Sequence, residues 1–163
     1  MLHRFQHDIL PLKDRLFRLA LRITLNREDA QDIVQETLIK MWEQRQQWDA
    51  IENIEAYALT ICRNLSLDHL KRLSNRHLPL DTPQVEPFDQ TPSPLEQTIH
   101  HEHFDRVRQI IDRLPEKQRT CIQLRDFEGR SYHDIADILG ITEEQVKVNI
   151  FRARQTIRKD FEV

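Results

Sequence analysis

Residues 143–159 carry side chains suited to reading DNA. Five Lys or Arg stand against two Glu in this stretch, so it is locally positive. Apolar residues at spacings of four, three and four predict one buried helical stripe: Val146, Ile150, Ala153 and Ile157. At about 100° per residue, these side chains lie on or beside the opposite face: Glu144, Gln145, Lys147, Val148, Asn149, Phe151, Arg152, Arg154 and Gln155. Cations suit phosphates, and amide, guanidinium and apolar groups suit base edges, so we predict a surface that reads a DNA groove.

The residues before this helix predict a helix-turn-helix. Ser131 can cap a first helix with Asp134 at its third position. Gly140 can end that helix in the left-handed conformation. Thr142 and Gln145 form the capping box T-x-x-Q of the next helix. The alternative is an ordinary αα-hairpin whose basic face is only solvated.

Composition favours an all-α chain. The 163 residues include only two Gly and 7% aromatic residues, and they are rich in helix-forming types. The formal net charge of −3 argues against a protein that coats nucleic acid without selectivity. If the chain binds DNA, another component must therefore assist it.

No catalytic residues, cofactor or metal site are predicted. The sequence has no phosphate-binding glycine loop, G-x-S-x-G elbow or H-E-x-x-H motif. Cys62 and Cys121 are isolated and are expected to be buried, reduced thiols of a cytoplasmic protein. His100, His101 and His103 cannot complete a metal shell by themselves. No apolar run is long enough for membrane insertion, and the amino end shows no charged-then-apolar leader, so we expect the chain to stay in the compartment where it is made.

A second candidate surface lies on a helix that follows Asn26. Asn26 is a predicted N-cap with Asp29 at the third position, and an apolar stripe follows. The outward side chains of interest are Asp32, Gln35, Glu36, Ile39 and Lys40. An exposed Ile among acids and amides fits a protein-binding surface better than a merely solvated one.

The middle of the chain predicts a division into two helical domains. Residues 77–95 hold five of the seven prolines and no Lys or Arg, which is typical of a flexible linker. We therefore expect a domain over residues 1–76, a linker over 77–95 and a helix-turn-helix domain over 96–163. The predicted fold is two small all-α domains, without a winged helix.

Three segments together resemble one family. DAQDIVQETLIKMWE, from Asp29, resembles the second conserved region of bacterial sigma factors. IEAYALTICRNLSLDHLKR, from Ile54, resembles the helix that follows it in the extracytoplasmic-function (ECF) group, with Tyr57 and Ala58 where Trp is usual. Residues 114–159 resemble the fourth conserved region, with Glu144-Gln145 for Gly-Thr and Val148-Asn149 for Ser-Arg. These matches occur in the family's order over about two thirds of the chain.

The resemblance implies a non-catalytic subunit that directs RNA polymerase to promoters. The surface that contains Asp32 and Glu36 would bind the clamp of core polymerase, and a second contact would be made at the flap. Residues 143–159 would bind the −35 element. Candidate contacts to the melted −10 element are Trp48, Asn53, Asn64, Lys71 and Arg72. Trp48 could instead be core, and Asn64 a capping or buried amide. The resemblance also implies an anti-sigma partner. It further implies that the acidic linker lies near the active-site and RNA-exit channels of polymerase, and the alternative is that the linker is only a flexible tether.

One rival hypothesis is a stand-alone helix-turn-helix regulator. Its N-terminal half would sense a signal or form a dimer, and it would bind DNA without polymerase. A DNA-binding titration separates the two hypotheses.

Overall fold

The computed structural model describes residues 1–76 and 95–162, with the side chains of the second stretch described from Glu102. All regular secondary structure in this part of the chain is helical. The chain begins with α1 (Leu2–Arg4), a π-helical segment (Phe5–Ile9) and a 3₁₀ turn (Leu10–Leu12) that contains Pro11, and continues into α2 (Lys13–Thr24). Proline fits this first turn because its missing N–H is not required there.

Helices α2, α3 and α4 form the body of the N-terminal domain. Helix α2 packs against α3 (Arg27–Glu43) and α4 (Ile54–Asn75), and a 3₁₀ segment (Arg45–Ala50) connects the last two. Asn26 caps α3 by accepting a hydrogen bond from the backbone N–H of Asp29, as predicted. Asn53 caps α4 in the same way through the N–H of Ala56. These caps satisfy N–H groups that a helix leaves without intrahelical partners.

The C-terminal domain ends in a helix-turn-helix. Its elements are α5 (Leu95–Asp112), α6 (Glu116–Ile122) with a π-helical extension (Gln123–Phe127), α7 (Tyr132–Leu139) and α8 (Glu143–Glu162). Ser131 caps α7 through the N–H of Asp134, and Gly140 ends it with φ +67°. Thr142 and Gln145 exchange hydrogen bonds of 3.0 and 3.1 Å between their backbone N–H groups and side-chain oxygens. The predicted caps are therefore confirmed, as is the fold of two helical domains with a C-terminal helix-turn-helix. The predicted linker, apart from Leu95, lies outside the described residues.

The two domains pack against each other. Helix α2 contacts α6, and α4 contacts α7. Charged side chains bridge them in a set of contacts that we call the interdomain seam: Arg18–Glu128, Arg22–Asp112, Arg22–Gln123, Arg63–Glu116, Arg130–Glu55 and Asn53–Asp134. The buried Arg119 also donates from Nη2 to the carbonyl of Ile23 at 3.1 Å. The domains thus meet partly through ion pairs.

Burial changes the acidity of several groups in this seam. It lowers the pKa of Arg22 and of Arg119, and it raises the pKa of Asp112. The Arg22 guanidinium opposes the last effect, because its Nη1 lies 3.1 Å from Oδ1 of Asp112. A charged group removed from water is tolerated here because an opposite charge is adjacent.

Candidate polymerase-binding and DNA-binding surfaces

Helix α8 presents the surface that its periodicity predicts. Val146, Ile150 and Ala153 are buried, and Ile157 is half-buried. Of the predicted DNA-binding residues, Asn149 is half-buried and the following are exposed: Glu144, Gln145, Lys147, Val148, Phe151, Arg152, Arg154 and Gln155. The capped start of α8 fixes the axis along which these side chains project.

Several of these side chains have partners within the domain. Arg154 donates from Nε and Nη2 to Asp126 at 3.2 and 2.6 Å, and this hydrogen bonding raises the pKa of Arg154. Asn149 donates its amide N–H to the carbonyl of Gln145 at 2.8 Å. The Lys147 ammonium lies 5.5 Å from the centre of the Tyr132 ring. The positive charge of Arg154 is therefore partly compensated by Asp126. The side chain of Asn149 is oriented by the backbone of its own helix.

The candidate −10 residues separate into exposed and buried members. Asn64, Lys71 and Arg72 are exposed on α4, so Asn64 is not a buried amide. Asn53 is exposed at the start of α4, where its Nδ2 lies 3.4 Å from Oδ1 of Asp134 across the interdomain seam. These four side chains lie along one helix and its cap.

Trp48 is placed in the core and not on a DNA-accessible surface. Its side chain is fully buried, and its indole N–H donates to the carbonyl of Met41 at 3.0 Å. The Trp48 ring also packs beside Phe5 and Trp42. The structure thus corrects the expectation of a direct base contact and favours the alternative, in which Trp48 holds the segment before α4 against the domain.

The outward face of α3 forms a mixed acidic and apolar surface. Asp32, Gln35, Glu36 and Ile39 are exposed, and Lys40 is half-buried. Ile39 is 57% exposed although Ile33, Val34 and Met41 on the same helix are buried. An apolar side chain held in water by a well-packed helix is the kind of group that a protein partner covers.

The sequence did not indicate the ion pairs of the interdomain seam. Arg130, for example, pairs with Glu55 at 3.0 Å across the interdomain seam. Such partners lie far apart in the sequence, so no local spacing indicates them. Only the packing of α4 on α7 brings these charges together.

Neither a metal centre nor a membrane-spanning helix is found in the described part of the chain. Within residues 1–76 and 95–162, no three His, Cys, Asp or Glu side chains are grouped so that they could hold a metal ion. No helix in those residues has the length and apolarity to cross a bilayer. Cys62 and Cys121 are free and buried, and burial raises the pKa of each thiol to about 12.

Comparison with known proteins assigns the family. Sigma-70 region 2 matches residues 9–76, and sigma-70 region 4 matches residues 104–157. The RNA polymerase sigma-H factor of Pseudomonas aeruginosa is 31% identical over 93% of this chain and 84% of its own length. The ECF RNA polymerase sigma factor EcfG of Rhodopseudomonas palustris is 30% identical over 92% of this chain and 81% of its own. The chain is an ECF sigma factor of the sigma-70 family.

Other relatives are longer than this sigma factor. The ECF sigma factor SigE of Mycolicibacterium smegmatis is 34% identical over 89% of the chain, which spans 56% of that relative. The fold resembles that of the sigma factor RpoE in its complex with the anti-sigma factor NepR from Bartonella quintana, with a TM-score of 0.78 and 24% identity over 98% of this chain and 97% of that one. A second similar structure is CnrH in complex with the cytosolic domain of CnrY, with a TM-score of 0.70 and 19% identity over 98% and 88% of the two chains. In sigma-factor terms, α3 and α4 belong to region 2, and α6 to α8 belong to region 4.

Proposed function

We propose that the chain binds core RNA polymerase in the cytoplasm and directs promoter-specific initiation. Its N-terminal domain, residues 1–76, recognises the −10 element, and its C-terminal domain, residues 96–163, recognises the −35 element. The observation that carries this proposal is the presence of sigma regions 2 and 4 in that order, with a protein-binding type of surface on α3 and a cationic reading face on α8.

The α3 face is the proposed docking surface for the polymerase clamp. Ile39 provides an apolar anchor, while Asp32 and Glu36 on adjacent turns provide charges that select a basic partner. Gln35 and Lys40 complete the proposed surface. Because this face packs nothing in its own domain, substitutions there should change binding without changing the fold. A second contact, at the flap of core polymerase, is part of the proposal.

Helix α4 and its cap are the proposed site for the melted −10 strand. Asn53 and Asn64 offer amide donors and acceptors to unpaired bases, and Lys71 and Arg72 offer cations to phosphates. The chain belongs to a family of non-catalytic initiation subunits, so strand opening must draw its free energy from the capture of bases. Trp48 is buried against Phe5 and Trp42 and is not part of this proposed site.

Promoter engagement requires a different domain arrangement from the one described. Elements named −10 and −35 are about 25 base pairs apart, which is roughly 85 Å at about 3.4 Å per base pair. In the structure, Asn53 of the proposed −10 site lies 3.4 Å from Asp134 at the start of the helix-turn-helix. We therefore infer that the interdomain seam opens when the chain binds polymerase and DNA.

An anti-sigma factor is the proposed regulator. One similar solved structure is the sigma factor RpoE in complex with the anti-sigma factor NepR, another is CnrH in complex with the cytosolic domain of CnrY, and the present chain shares their fold. A partner that covers the α3 face or holds the seam closed would prevent both docking and promoter reading. Titrating such a partner against the polymerase complex would show competition.

Reconstitution with core polymerase tests the proposal. Core enzyme mixed with the purified chain should start transcription at a set of promoters that core alone does not use. Asp32→Lys with Glu36→Lys should abolish polymerase binding and leave the helical circular-dichroism signal unchanged. The matched control, Asp160→Lys with Glu162→Lys, makes the same charge change at the exposed end of α8 and should still bind core. Affinity of the Asp32/Glu36 variant within threefold of wild type would remove the docking assignment.

A further inference from the structure

The reading face of α8 has an apolar centre. Val148 is 45% exposed and Phe151 is 62% exposed, and they lie three residues apart on adjacent turns. Side chains three residues apart on a helix are neighbours, so the two form one patch. Neither contributes to the core that Val146, Ile150 and Ala153 build on the opposite side of the helix. The fold therefore gives no reason for apolar side chains at these two positions.

The surroundings of the patch favour nucleic acid as its partner. Residues 143–159 contain five Lys or Arg and two Glu, and the exposed Arg152 is adjacent to Phe151. On α3, by contrast, the surface that holds the exposed Ile39 carries two acids, Asp32 and Glu36, and one cation, Lys40. An apolar group set among cations on a recognition helix faces an anionic partner, and the phosphates of DNA supply that charge.

Several polar side chains on this face of α8 already have hydrogen-bonding partners within the protein. Asn149 donates to the carbonyl of Gln145, Gln145 accepts from the N–H of Thr142, and Arg154 is paired with Asp126. Fewer polar groups are therefore free to form bidentate contacts with base edges. The one apolar group on the base edges of the major groove is the C5-methyl of thymine.

We propose that Val148 and Phe151 select thymine in the −35 element by contacting its C5-methyl group. This inference rests on the proposed function and makes it more specific, because it names the chemical group that α8 reads. A −35 element selected by this chain then contains at least one thymine, on either strand, whose methyl group lies under the patch. Cytosine at that position lacks the methyl group.

Deoxyuridine substitution tests the proposal, because it removes only the methyl group and keeps every hydrogen-bonding group of thymine. The holoenzyme first selects −35 sequences from a duplex library with randomised bases, and each selected thymine is then replaced singly by deoxyuridine. At one or two positions the affinity should fall about fourfold, since burial of one methyl contributes about 0.8 kcal/mol and about 1.36 kcal/mol is tenfold. In a promoter variant whose sensitive thymine is changed to cytosine, replacing that cytosine by 5-methylcytosine returns the methyl group and should restore the affinity of the holoenzyme.

Two substitutions assign the effect to the patch. Phe151→Ala, or Val148→Ala, should bind the selected promoter less tightly and should no longer distinguish thymine from deoxyuridine at the sensitive position. Phe104→Ala is the matched control, because Phe104 is 59% exposed in the same domain but lies on α5. It should keep the full fourfold discrimination. Thermal unfolding of each variant should match wild type, since none of these side chains is in the core.

The outcomes separate the two claims. Selected sequences without thymine, deoxyuridine substitutions without effect, or Phe151→Ala and Val148→Ala variants that retain the discrimination would each overturn this inference while promoter selection remains. Loss of binding to a protein inhibitor in the Phe151→Ala variant, with unchanged DNA selection, would also overturn it and assign the patch to that partner. Failure of the wild-type complex to select any promoter would contradict the proposed function itself.

Discussion

The guanidinium of Arg63 in α4 donates two hydrogen bonds to the carboxylate of Glu116 in α6, from Nε at 3.1 Å and from Nη2 at 3.0 Å. The Arg63 side chain is 7% exposed and that of Glu116 is 22% exposed. Thr120 donates a further hydrogen bond to the same carboxylate at 2.7 Å. This bidentate pair joins the two domains, and it is more buried than the bidentate Arg18–Glu128 pair, whose Arg18 side chain is 49% exposed.

We expect Arg63→Gln to weaken the packing of one domain on the other. A hydrogen bond to a charged group contributes roughly 1.5–3 kcal/mol, and the residual exposure of Glu116 favours the lower part of that range. Urea unfolding should show this loss, and small-angle scattering should show a larger radius of gyration. Arg4→Gln is the control, because its partner Asp49 is 89% exposed and such pairs contribute less than about 1 kcal/mol. Equal losses in the two variants would contradict the role of Arg63.

Salt should also open the seam, because several of its contacts are ion pairs. Raising the salt concentration from about 0.1 M to about 1 M shortens the Debye length from about 10 Å to about 3 Å. The Arg18–Glu128 pair is the most affected, since the Arg18 side chain is 49% exposed. Scattering should report expansion while the helical signal stays constant. A radius of gyration that does not change with salt would mean that the exposed ion pairs do not hold the domains together, because buried pairs are screened much less.

The sequence predicted those parts of the structure that depend on neighbours along the chain. The caps at Ser131 and at Thr142 with Gln145 each involve groups three residues apart, so their residue types are sufficient to indicate them. The buried and exposed faces of α8 follow from its periodicity in the same way. Leu25 is an exception: it ends α2 with φ +57°, a conformation that usually favours Gly.

The features that the sequence left open or did not indicate depend on tertiary packing. The sequence left Trp48 open between a base contact and the core, because a Trp in a connecting segment does not reveal that Phe5 and Trp42 pack beside it. The interdomain seam joins residues up to 110 positions apart, as in the Arg18–Glu128 pair. Such pairs arise only after the helices have packed, and no local pattern distinguishes them from solvated charges.

The two cysteines should be inert in the native chain. Burial raises the pKa of Cys62 and of Cys121 to about 12, so almost no thiolate forms near pH 8. Iodoacetamide should label neither thiol until urea unfolds the chain, and mass spectrometry should then find both labelled. Rapid labelling of either thiol in the native chain would contradict its burial.

The same pKa shifts predict a loss of stability at alkaline pH. A thiol whose pKa is raised in the folded state stabilises the fold fully below its unfolded value of about 9, and this contribution is lost as the pH rises towards about 12. The free energy of unfolding should fall by about 1.4 kcal/mol per pH unit for each thiol over that range. Cys62→Ala should reduce this slope, whereas an unchanged slope would assign the alkaline loss to other groups.

Arg152 and Arg154 should differ in their effects on DNA binding. Arg152 is exposed on the reading face, so Arg152→Ala should reduce promoter affinity by about 1–3 kcal/mol if it contacts a base, with relaxed preference at one position. Arg154 is already paired with Asp126. Arg154→Ala should therefore reduce the slope of log affinity against log salt concentration by less than about one. Polymerase binding should be unchanged in both variants. Normal promoter transcription by Arg152→Ala at all salt concentrations, or its loss of polymerase binding, would contradict the placement of this face in the major groove.

The most direct test of the account is a titration of promoter DNA with the chain alone and with the chain bound to core polymerase. Fluorescence anisotropy would follow a labelled promoter selected by the complex, beside a duplex with both elements scrambled. We expect the chain alone to bind the two duplexes weakly and equally, because its domains are closed and its net charge is −3. Only the complex should prefer the promoter. Equal promoter selectivity by the chain without polymerase would contradict the account and would identify a stand-alone regulator.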